Sequence, residues 1–300
     1  MVAYCGSGGI GPSPTGHPSV EKGAAVPLPS RPPVLCPGCP HTASFFALRR
    51  MGLYRGGDDP SLPPELRALA PLRRAGVVIA GDIGCYTLAC LPPLLALDTT
   101  GCMGASIGNA LGMEKAGLRQ KVVAVIGDST FLHSGITPLL DVVYNGGSVT
   151  VLILDNTTTA MTGHQEHPGT GLTAKGEKAK KVDLEVVVRA VGVEDVQVVD
   201  AFDLVAIESA LRAAIDRDEP SVVIARGLCI LRVRGQHGWA MVEPARCDGC
   251  AACLRTGCPA ISFADGKALI DPELCVGERC AICVAACPEE AISLVSGGAG

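Results

Sequence analysis

The sequence predicts an α/β fold: a parallel sheet with helices on both faces, followed by a small α+β module. Three observations predict it. Between residues 34 and 234, short β-branched runs alternate with helical stretches, a pattern typical of parallel sheets with crossover helices. Residues 243–295 lack this rhythm and are dense in cysteine. Residues 1–33 are rich in Gly, Pro and Ser, so we expect a flexible arm there.

The strands are predicted from short runs of β-branched and aliphatic residues, and the helices from the longer stretches around them. The predicted strands are Val77–Ala80, Lys121–Ile126, Val149–Leu154, Val196–Val199 and Ser221–Ala225. The predicted helices are Thr42–Met51, Gly104–Gly117, Gly135–Asn145, Leu184–Val191 and Leu204–Arg217. Glycines from Gly101 to Gly112, Gly104 among them, would let the second helix pack closely against a strand and a cofactor.

The composition restricts the classes of function. Hydrophobic residues make up 48% of the chain and aromatic residues only 3%, so we expect a sizeable aliphatic core. No apolar run is long enough to span a bilayer and no export signal is visible, which indicates a cytoplasmic protein without membrane association. The net charge of −5 gives no electrostatic reason to expect nucleic acid binding. Fifteen cysteines in such a protein indicate metal binding or catalysis rather than disulfides.

The cysteines of the C-terminal module form two similar runs. The first has the spacing C-x2-C-x2-C-x4-C-P from Cys247, and the second C-x4-C-x2-C-x3-C-P from Cys275. Both approximate the bacterial ferredoxin pattern, in which the cysteine before proline ligates the other cluster. We therefore expect two [4Fe–4S] clusters, one on Cys247, Cys250, Cys253 and Cys287, and one on Cys275, Cys280, Cys283 and Cys258.

The alternative for this module is a pair of zinc knuckles. Zinc sites more often use isolated CxxC pairs with longer separations and histidine, and the module contains no histidine. Extra residues before Cys258 and between Cys275 and Cys280 depart from the ferredoxin spacing. These insertions could loosen or expose a cluster, but they leave all eight ligands present.

Two strand ends carry the residue types of a metal–diphosphate site. The strand Lys121–Ile126 runs into Gly127-Asp128-Ser129, and Asn156 follows the next strand. Carboxylate and amide oxygens at neighbouring strand ends suit Mg²⁺, and a helix N-terminus there can bind phosphate. The pattern resembles the thiamine-diphosphate fingerprint, with the Thr158 carbonyl as the third protein ligand of Mg²⁺. The alternative is an ordinary strand-end acid and a turn asparagine.

Longer segments make the resemblance specific. These segments are CPGCPH (36–41), GDIGCY (81–86), GCMGASIG (101–108), GDSTFLHSG (127–135) and DNTTTAMTGHQEHPGTG (155–171). Together with the two-cluster module, they resemble the large (alpha) subunits of indolepyruvate ferredoxin oxidoreductases, within the 2-oxo acid:ferredoxin oxidoreductase family. The resemblance implies oxidative decarboxylation of an aromatic 2-oxo acid with coenzyme A, giving acyl-CoA and CO₂. Electrons would pass through the clusters to ferredoxin, and a small (beta) subunit would be a partner.

The resemblance also implies a missing half-site. Thiamine-diphosphate sites form between a diphosphate-binding and a pyrimidine-binding domain, and large subunits of this family have the pyrimidine domain ahead of the region present here. Only residues 1–33 precede that region in this chain. We therefore expect another chain or domain to supply the activating glutamate, which is neither Glu114 nor Glu166. The chain alone should be inactive.

Four further cysteines correspond to a third cluster in related oxidoreductases. The resemblance places a [4Fe–4S] cluster near the thiamine on Cys36, Cys39, Cys85 and Cys229. The alternative is that these cysteines are small buried residues at strand ends. Cys90 and Cys102 are expected in the core, and Cys5 is expected to be incidental.

Histidines in the motif segments are candidates for proton transfer, because imidazole titrates near neutral pH. Of the four in these segments, which also include His164 and His167, we prefer His41 and His133 as catalytic residues. Each follows a motif element directly. The alternative for each is a hydrogen-bonded loop histidine, and the lysines of 175–181 are expected to form a solvated loop.

Two other functions remain to be weighed. A non-oxidative thiamine-dependent decarboxylase would use the same Mg²⁺ site, but it moves no electrons and needs no clusters. A subunit that only transfers electrons would use the clusters, but it needs no diphosphate site. Bound thiamine diphosphate together with clusters would exclude both.

Overall fold

A six-stranded parallel sheet organises the first part of the chain in the computed structural model, which describes residues 33–51, 77–233 and 238–296. Its strand order is β2-β1-β3-β4-β6-β5. The strands are β1 (Val77–Gly81), β2 (Thr99–Thr100), β3 (Lys121–Gly127), β4 (Thr150–Asp155), β5 (Asp195–Asp200) and β6 (Ser221–Arg226). The five predicted strands are confirmed, and the two-residue β2 was not predicted because it is too short to show a pattern. The expected arm and Cys5 lie outside the described residues, apart from Pro33.

Helices cover both faces of this sheet, as predicted. They are α1 (His41–Arg50), α2 (Ala105–Lys115), α3 (Asp128–Thr130), α4 (Ile136–Tyr144), α5 (Leu184–Ala190) and α6 (Leu204–Ile215). A π-helical turn, Phe131–Gly135, joins α3 to α4, and Cys85–Cys90 form a 3₁₀ turn.

Alternation along the strands divides the aliphatic core between the two faces. In β3, Val123 and Val125 belong to the cluster packed under α1 and α6. Val122 and Ala124 belong to the opposite cluster, under α2, α4 and α5. Successive strand side chains point to opposite faces, so one run of apolar residues fills both.

The C-terminal module changes to antiparallel pairing. Strand β7 (Trp239–Val242) pairs with β10 (Ile292–Val295), and β8 (Ile261–Ala264) pairs with β9 (Lys267–Ile270). A short helix, α7 (Ile282–Ala286), lies between β9 and β10 in the chain. The change in pairing agrees with the predicted α+β module, whose limits at residues 243–295 remain a prediction.

Several contacts join this module to the first part of the chain. Ile282 of α7 belongs to the core cluster under α1 and α6. The buried guanidinium of Arg49 donates to the carbonyl oxygens of Pro93 and Arg255. Within the residues described, no helix is long and apolar enough to cross a membrane.

Candidate functional site

A cleft opens where the carboxyl ends of the central strands meet, which is the usual ligand site of an open parallel sheet. The start of α1, the end of β3 and the loop after β4 form its walls. The predicted residues found there are His41, Cys85, Gly127, Asp128, Ser129, Asn156 and Thr158.

Asp128 is buried at the base of this cleft, directly after β3. Its Oδ1 accepts a hydrogen bond from the amide of Ser129, and its Oδ2 accepts one from the amide of Thr157, both at 2.7 Å. Burial raises the pKa of this carboxyl, and the nearby His167 opposes the shift. The carboxylate is therefore fixed between the ends of β3 and β4.

His167 is a site residue that the sequence did not distinguish from its neighbours. It is buried, and its Nδ1 accepts a hydrogen bond from the amide of Gly169 at 3.2 Å. In the neutral ring the proton therefore lies on Nε2, which is 3.3 Å from Asp128 Oδ2. The loop of residues 157–170 places His167 next to the end of β3, which is far from it in sequence.

Asn156 and Thr158 complete the oxygen-rich part of the cleft. Asn156 Oδ1 accepts from the amide of Thr158 at 3.2 Å, and its Nδ2 donates to His41 Nε2 at 3.3 Å. Thr158 Oγ1 is buried and has no hydrogen-bond partner in the described part of the chain. One carboxylate, one amide oxygen and an unsatisfied threonine suit a hard cation, so the residues present fit Mg²⁺ and a diphosphate.

His41 begins α1 and faces the cleft from the opposite side. Burial lowers the pKa of this imidazole to about 4, so the ring is neutral near pH 7 and Nε2 can accept the Asn156 amide. Its ring also contacts the edge of Tyr86, with 6.3 Å between the ring centroids. His41 therefore holds Asn156 with its nitrogen turned away from Thr158.

Asp82 and Tyr86 form a buried pair that sequence reasoning missed. The Tyr86 hydroxyl donates to Asp82 Oδ1, while Oδ2 accepts from Ser106 Oγ at 2.8 Å and from the Gly104 amide at 3.1 Å. Burial raises the pKa of the Asp82 carboxyl, and these hydrogen bonds oppose the shift. The Tyr86 ring lies so close to Gly127 that an added Cβ there would be 2.8 Å from it.

Two predicted residues lie outside the cleft lining. Gly104 caps α2 with φ +89° and contacts Asp82 through its amide, so it supports the site from below. His133 is exposed in the π-helical turn, with Nδ1 3.0 Å from Ser134 Oγ. The structure does not bring His133 to the other candidate residues. Phe131 and Gly135 face the core, and His133 lies on the other side of the turn.

The four cysteines expected to hold a third cluster do come together. Burial chiefly raises the pKa of Cys39, and the thiols of Cys36, Cys85 and Cys229 add to that shift. Cys85 also lines the cleft, so this thiol group borders the candidate metal–diphosphate site. Of the cysteines expected in the core, Cys90 is only partly buried, and the expectation for Cys102 is wrong because it is exposed in the turn before α2.

Cysteines from the two halves of the C-terminal module lie close to one another, and all of them are free thiols. Burial raises the pKa of Cys253 to about 11, with further contributions from Cys287 and Cys250. Burial raises the pKa of Cys280 to about 12, with further contributions from Cys258 and Cys275. The cysteine before each proline thus lies close to a cysteine of the other run, and the crossed ligand sets remain a prediction. Cys247 packs against the same small core.

We call the cysteines expected to hold the first cluster the first thiol group, and Cys258, Cys275, Cys280 and Cys283 the second. The second thiol group surrounds a cavity of about 30 Å³. Its wall includes Gly38, from the loop between Cys36 and Cys39. Gly38 has φ +72°, and an added Cβ would meet Val276 at 2.3 Å. The same loop therefore carries two thiols of the third group and closes the cavity of the second.

Backbone amides are directed at some of these sulfurs. The amides of Ala240 and Ala291 donate to Cys275 Sγ at 3.2 Å and to Cys287 Sγ at 3.3 Å. Among the residues described, no group of three or more His, Cys, Asp or Glu side chains has an arrangement that could hold a metal ion.

Comparisons with known proteins agree with this geometry. The family described as thiamine pyrophosphate enzyme, C-terminal TPP binding domain, matches residues 82–225. The chain is 44% identical over 274 residues to the indolepyruvate oxidoreductase subunit IorA of Archaeoglobus fulgidus, covering 89% of this chain and 40% of that one. It is 40% identical over 283 residues to IorA of Methanothermobacter thermautotrophicus, covering 93% of this chain and 43% of that one. The chain thus spans about two-fifths of the length of these relatives.

One solved structure supports the fold. It is a 2-oxoglutarate:ferredoxin oxidoreductase from Magnetococcus marinus with 2-oxoglutarate, coenzyme A and succinyl-CoA bound. The TM-score is 0.55 at 15% identity, with 69% of this chain and 67% of that one covered. At this identity the likeness concerns the fold alone.

Proposed function

This chain is homologous to IorA subunits over about nine-tenths of its length, as its motifs indicate, and we propose that it is the thiamine- and cluster-bearing part of a 2-oxo acid:ferredoxin oxidoreductase. The substrate is an aromatic 2-oxo acid such as indolepyruvate. One 2-oxo acid, one coenzyme A and two oxidised ferredoxins give one acyl-CoA, one CO₂, one proton and two reduced ferredoxins.

A single observation carries this proposal. The cleft that contains Asp128, Asn156 and Thr158 is bordered by Cys85, a member of the third thiol group. A cluster held by those thiols would border the same cleft, so electrons could leave a cofactor bound there without crossing the sheet. A non-oxidative decarboxylase would not need a cluster next to the cleft, and a subunit that only transfers electrons would not need the cleft.

The chain's own residues bind and orient the cofactor. Asp128, Asn156 and the Thr158 carbonyl would hold Mg²⁺, and His167 would keep the Asp128 carboxylate in place. Thiamine diphosphate, when bound, supplies the carbon nucleophile that attacks the oxo group and keeps the electrons when CO₂ leaves. Neutral His41 orients Asn156, and Gly127 leaves room for the Tyr86 ring in the wall of the cleft.

The rim of the cleft supports an apolar substrate and a partner surface. Ile83, Met103 and Met161 line the cleft and are each more than two-fifths exposed. A pyrimidine-binding domain from another chain or segment would cover this rim and supply the activating glutamate. The small (beta) subunit and ferredoxin are further partners. Fourteen described cysteines are free, which suits the reducing cytoplasm and cluster assembly.

The experiment is an anaerobic assay of this chain, produced with a pyrimidine-binding domain and small subunit from a relative. We expect viologen dye reduction that requires both indolepyruvate and coenzyme A, with acyl-CoA detected by mass spectrometry. Asp128→Asn should abolish the activity, and Asp141→Asn, on an exposed face of α4, should retain it. Release of CO₂ without dye reduction would identify a non-oxidative decarboxylase instead.

A further inference from the structure

A second cleft lies at the other end of α1, away from the thiamine cleft. It has a volume of about 350 Å³ and is lined by Arg49, Arg50 and Arg255, together with Cys287 and Pro288. The remaining described lining residues are apolar, and none is acidic. Because α1 has ten residues, the two clefts are separated by about 15 Å along its axis.

The arginines of this basic cleft are held in different ways. Arg49 is only 4% exposed and is fixed by the carbonyl oxygens of Pro93 and Arg255. Arg50 is more open; its Nε is 3.0 Å from Glu208 and its guanidinium lies 5.9 Å from the Phe46 ring centroid. Glu208 therefore offsets the charge of Arg50, and the described lining of the cleft contains three arginines and no acidic residue.

Arg255 supplies the clearest indication of an anion-binding site. Its Nε is buried and has no hydrogen-bond partner among the residues that the structure describes. A buried N–H without a partner is costly, and a guanidinium prefers the paired oxygens of a carboxylate or phosphate. The acids that follow Pro288 are exposed outside the lining, and Glu290 is 3.4 Å from Arg246.

The order of the thiol groups shows why an anion site here would matter. The third group borders the thiamine cleft, and its Cys36–Cys39 loop closes the cavity of the second group. The second group shares a small core with Cys253 and Cys287 of the first. The first group is thus the last in the series, and its Cys287 forms part of the basic cleft.

We propose that the basic cleft of Arg49, Arg50 and Arg255 is the docking site for the acidic electron-acceptor protein, which places its carboxylates here and its redox centre beside the first cluster. This inference rests on the proposed function. In each encounter one electron leaves the reduced first cluster and reduces the acceptor's oxidised centre; no bond forms or breaks and no proton moves. Charge complementarity of this kind chiefly raises the rate of association.

The test separates docking from thiamine chemistry. The cluster-loaded chain, with its partner subunits, is reduced with dithionite, freed of the reductant and mixed with an acidic two-cluster ferredoxin in a stopped-flow spectrometer. With Arg255→Glu we expect the second-order rate constant at low salt to fall roughly tenfold and most of its salt dependence to disappear. Reduction of methyl viologen should be unchanged.

Matched variants keep the result interpretable. Arg119→Glu makes the same charge change at an exposed position between α2 and β3, outside the described lining of the basic cleft, and should leave both rates unchanged. Arg50→Gln should lower the ferredoxin rate several-fold, and it decides the question if Arg255→Glu loses its clusters. Unchanged ferredoxin rates in the arginine variants would overturn the proposal. A raised KM for coenzyme A with normal ferredoxin rates would assign the cleft to a phosphate.

Failure of the proposed function would look different. The pre-reduced chain needs no 2-oxo acid, so an inactive thiamine site leaves the ferredoxin measurement intact. A chain that reduces ferredoxin through this cleft but oxidises no 2-oxo acid would refute the proposed function alone.

Discussion

The amide of Cys229 donates a hydrogen bond to the main-chain carbonyl of Asn156 at 3.1 Å. On its other side, the Asn156 side chain contacts His41, which lies two residues after Cys39. One proposed Mg²⁺ ligand is thus held between two segments that carry thiols of the third group. The metal–diphosphate site and that thiol group share one framework, so the occupancy of each should affect the other.

The first prediction concerns this shared framework. Cys229→Ser should remove the third cluster and weaken thiamine diphosphate binding roughly five-fold or more. The coupling free energy between two linked binding sites is typically about 1–3 kcal/mol. Isothermal titration of the anaerobic chain with thiamine diphosphate and Mg²⁺ measures the affinity. Cys250→Ser is the control, since it perturbs only the distant first cluster. Equal affinities in the two variants would contradict the coupling.

The second prediction assigns His167 a positioning role. His167→Gln should weaken Mg²⁺ binding about 10–100-fold, because partners that orient a metal ligand have effects of this size. Saturating Mg²⁺ should restore thiamine diphosphate binding, which a general folding defect would not allow. His133→Gln, at the exposed position, should change neither affinity. A Mg²⁺ affinity like that of the unaltered chain would remove His167 from the site.

The third prediction concerns the buried Asp82–Tyr86 pair. Tyr86→Phe removes one donor from a fully buried carboxylate, so the free energy of unfolding should fall by about 1–3 kcal/mol at pH 7. Tyr144→Phe, at a residue 84% exposed, should change it little. Urea unfolding of the two variants measures the difference, and equal losses would show that the hydroxyl of Tyr86 contributes nothing.

This effect should also depend on pH in a defined direction. Burial raises the pKa of Asp82 in the folded chain, so protonation of the folded state begins above the unfolded value. The cost of Tyr86→Phe is full above the folded pKa, where Asp82 is ionised. It should shrink as the pH falls through that pKa, because a protonated carboxyl needs the donor less. A cost that grows towards acid pH would refute this assignment.

The fourth prediction tests the crossed cluster ligands. Cys253 and Cys287 face each other across the two halves, so the double variant Cys253→Ser/Cys287→Ser should lose no more iron than Cys253→Ser alone. Cys253→Ser/Cys258→Ser should lose about twice as much, since it damages both clusters. Iron content and electron paramagnetic resonance of the reduced chain measure this. The reverse order, with the larger loss in Cys253→Ser/Cys287→Ser, would show uncrossed ligation and contradict the prediction.

The features that could be predicted from the sequence are those set by residues close together in the chain, such as strands and short motifs. The β-branched run of β3 depends on neighbouring residues, and it predicted the strand correctly. The cysteine spacing after Cys247 is equally local, and the cluster ligands inferred from it stay a prediction. Asp128 and Asn156 were found because strand ends in a parallel sheet share one edge. His167 was missed because its partner, Asp128, lies about forty residues away in sequence. The position of Tyr86 against Gly127, at a similar distance in sequence, also depends on the folded chain. His133 was preferred from its place in a motif, and the π-helical turn directs it to solvent.

Gly38 has a practical consequence for protein engineers. Its left-handed backbone lets the short loop between Cys36 and Cys39 lie against Val276 without a side chain in between. If the C-terminal module were fused to another thiamine enzyme, that enzyme would therefore need a loop like Cys36–Cys39 to pack against the module. A residue with a side chain in place of Gly38 would be strained at φ +72° and would have its Cβ 2.3 Å from Val276, so the loop or Val276 would have to move.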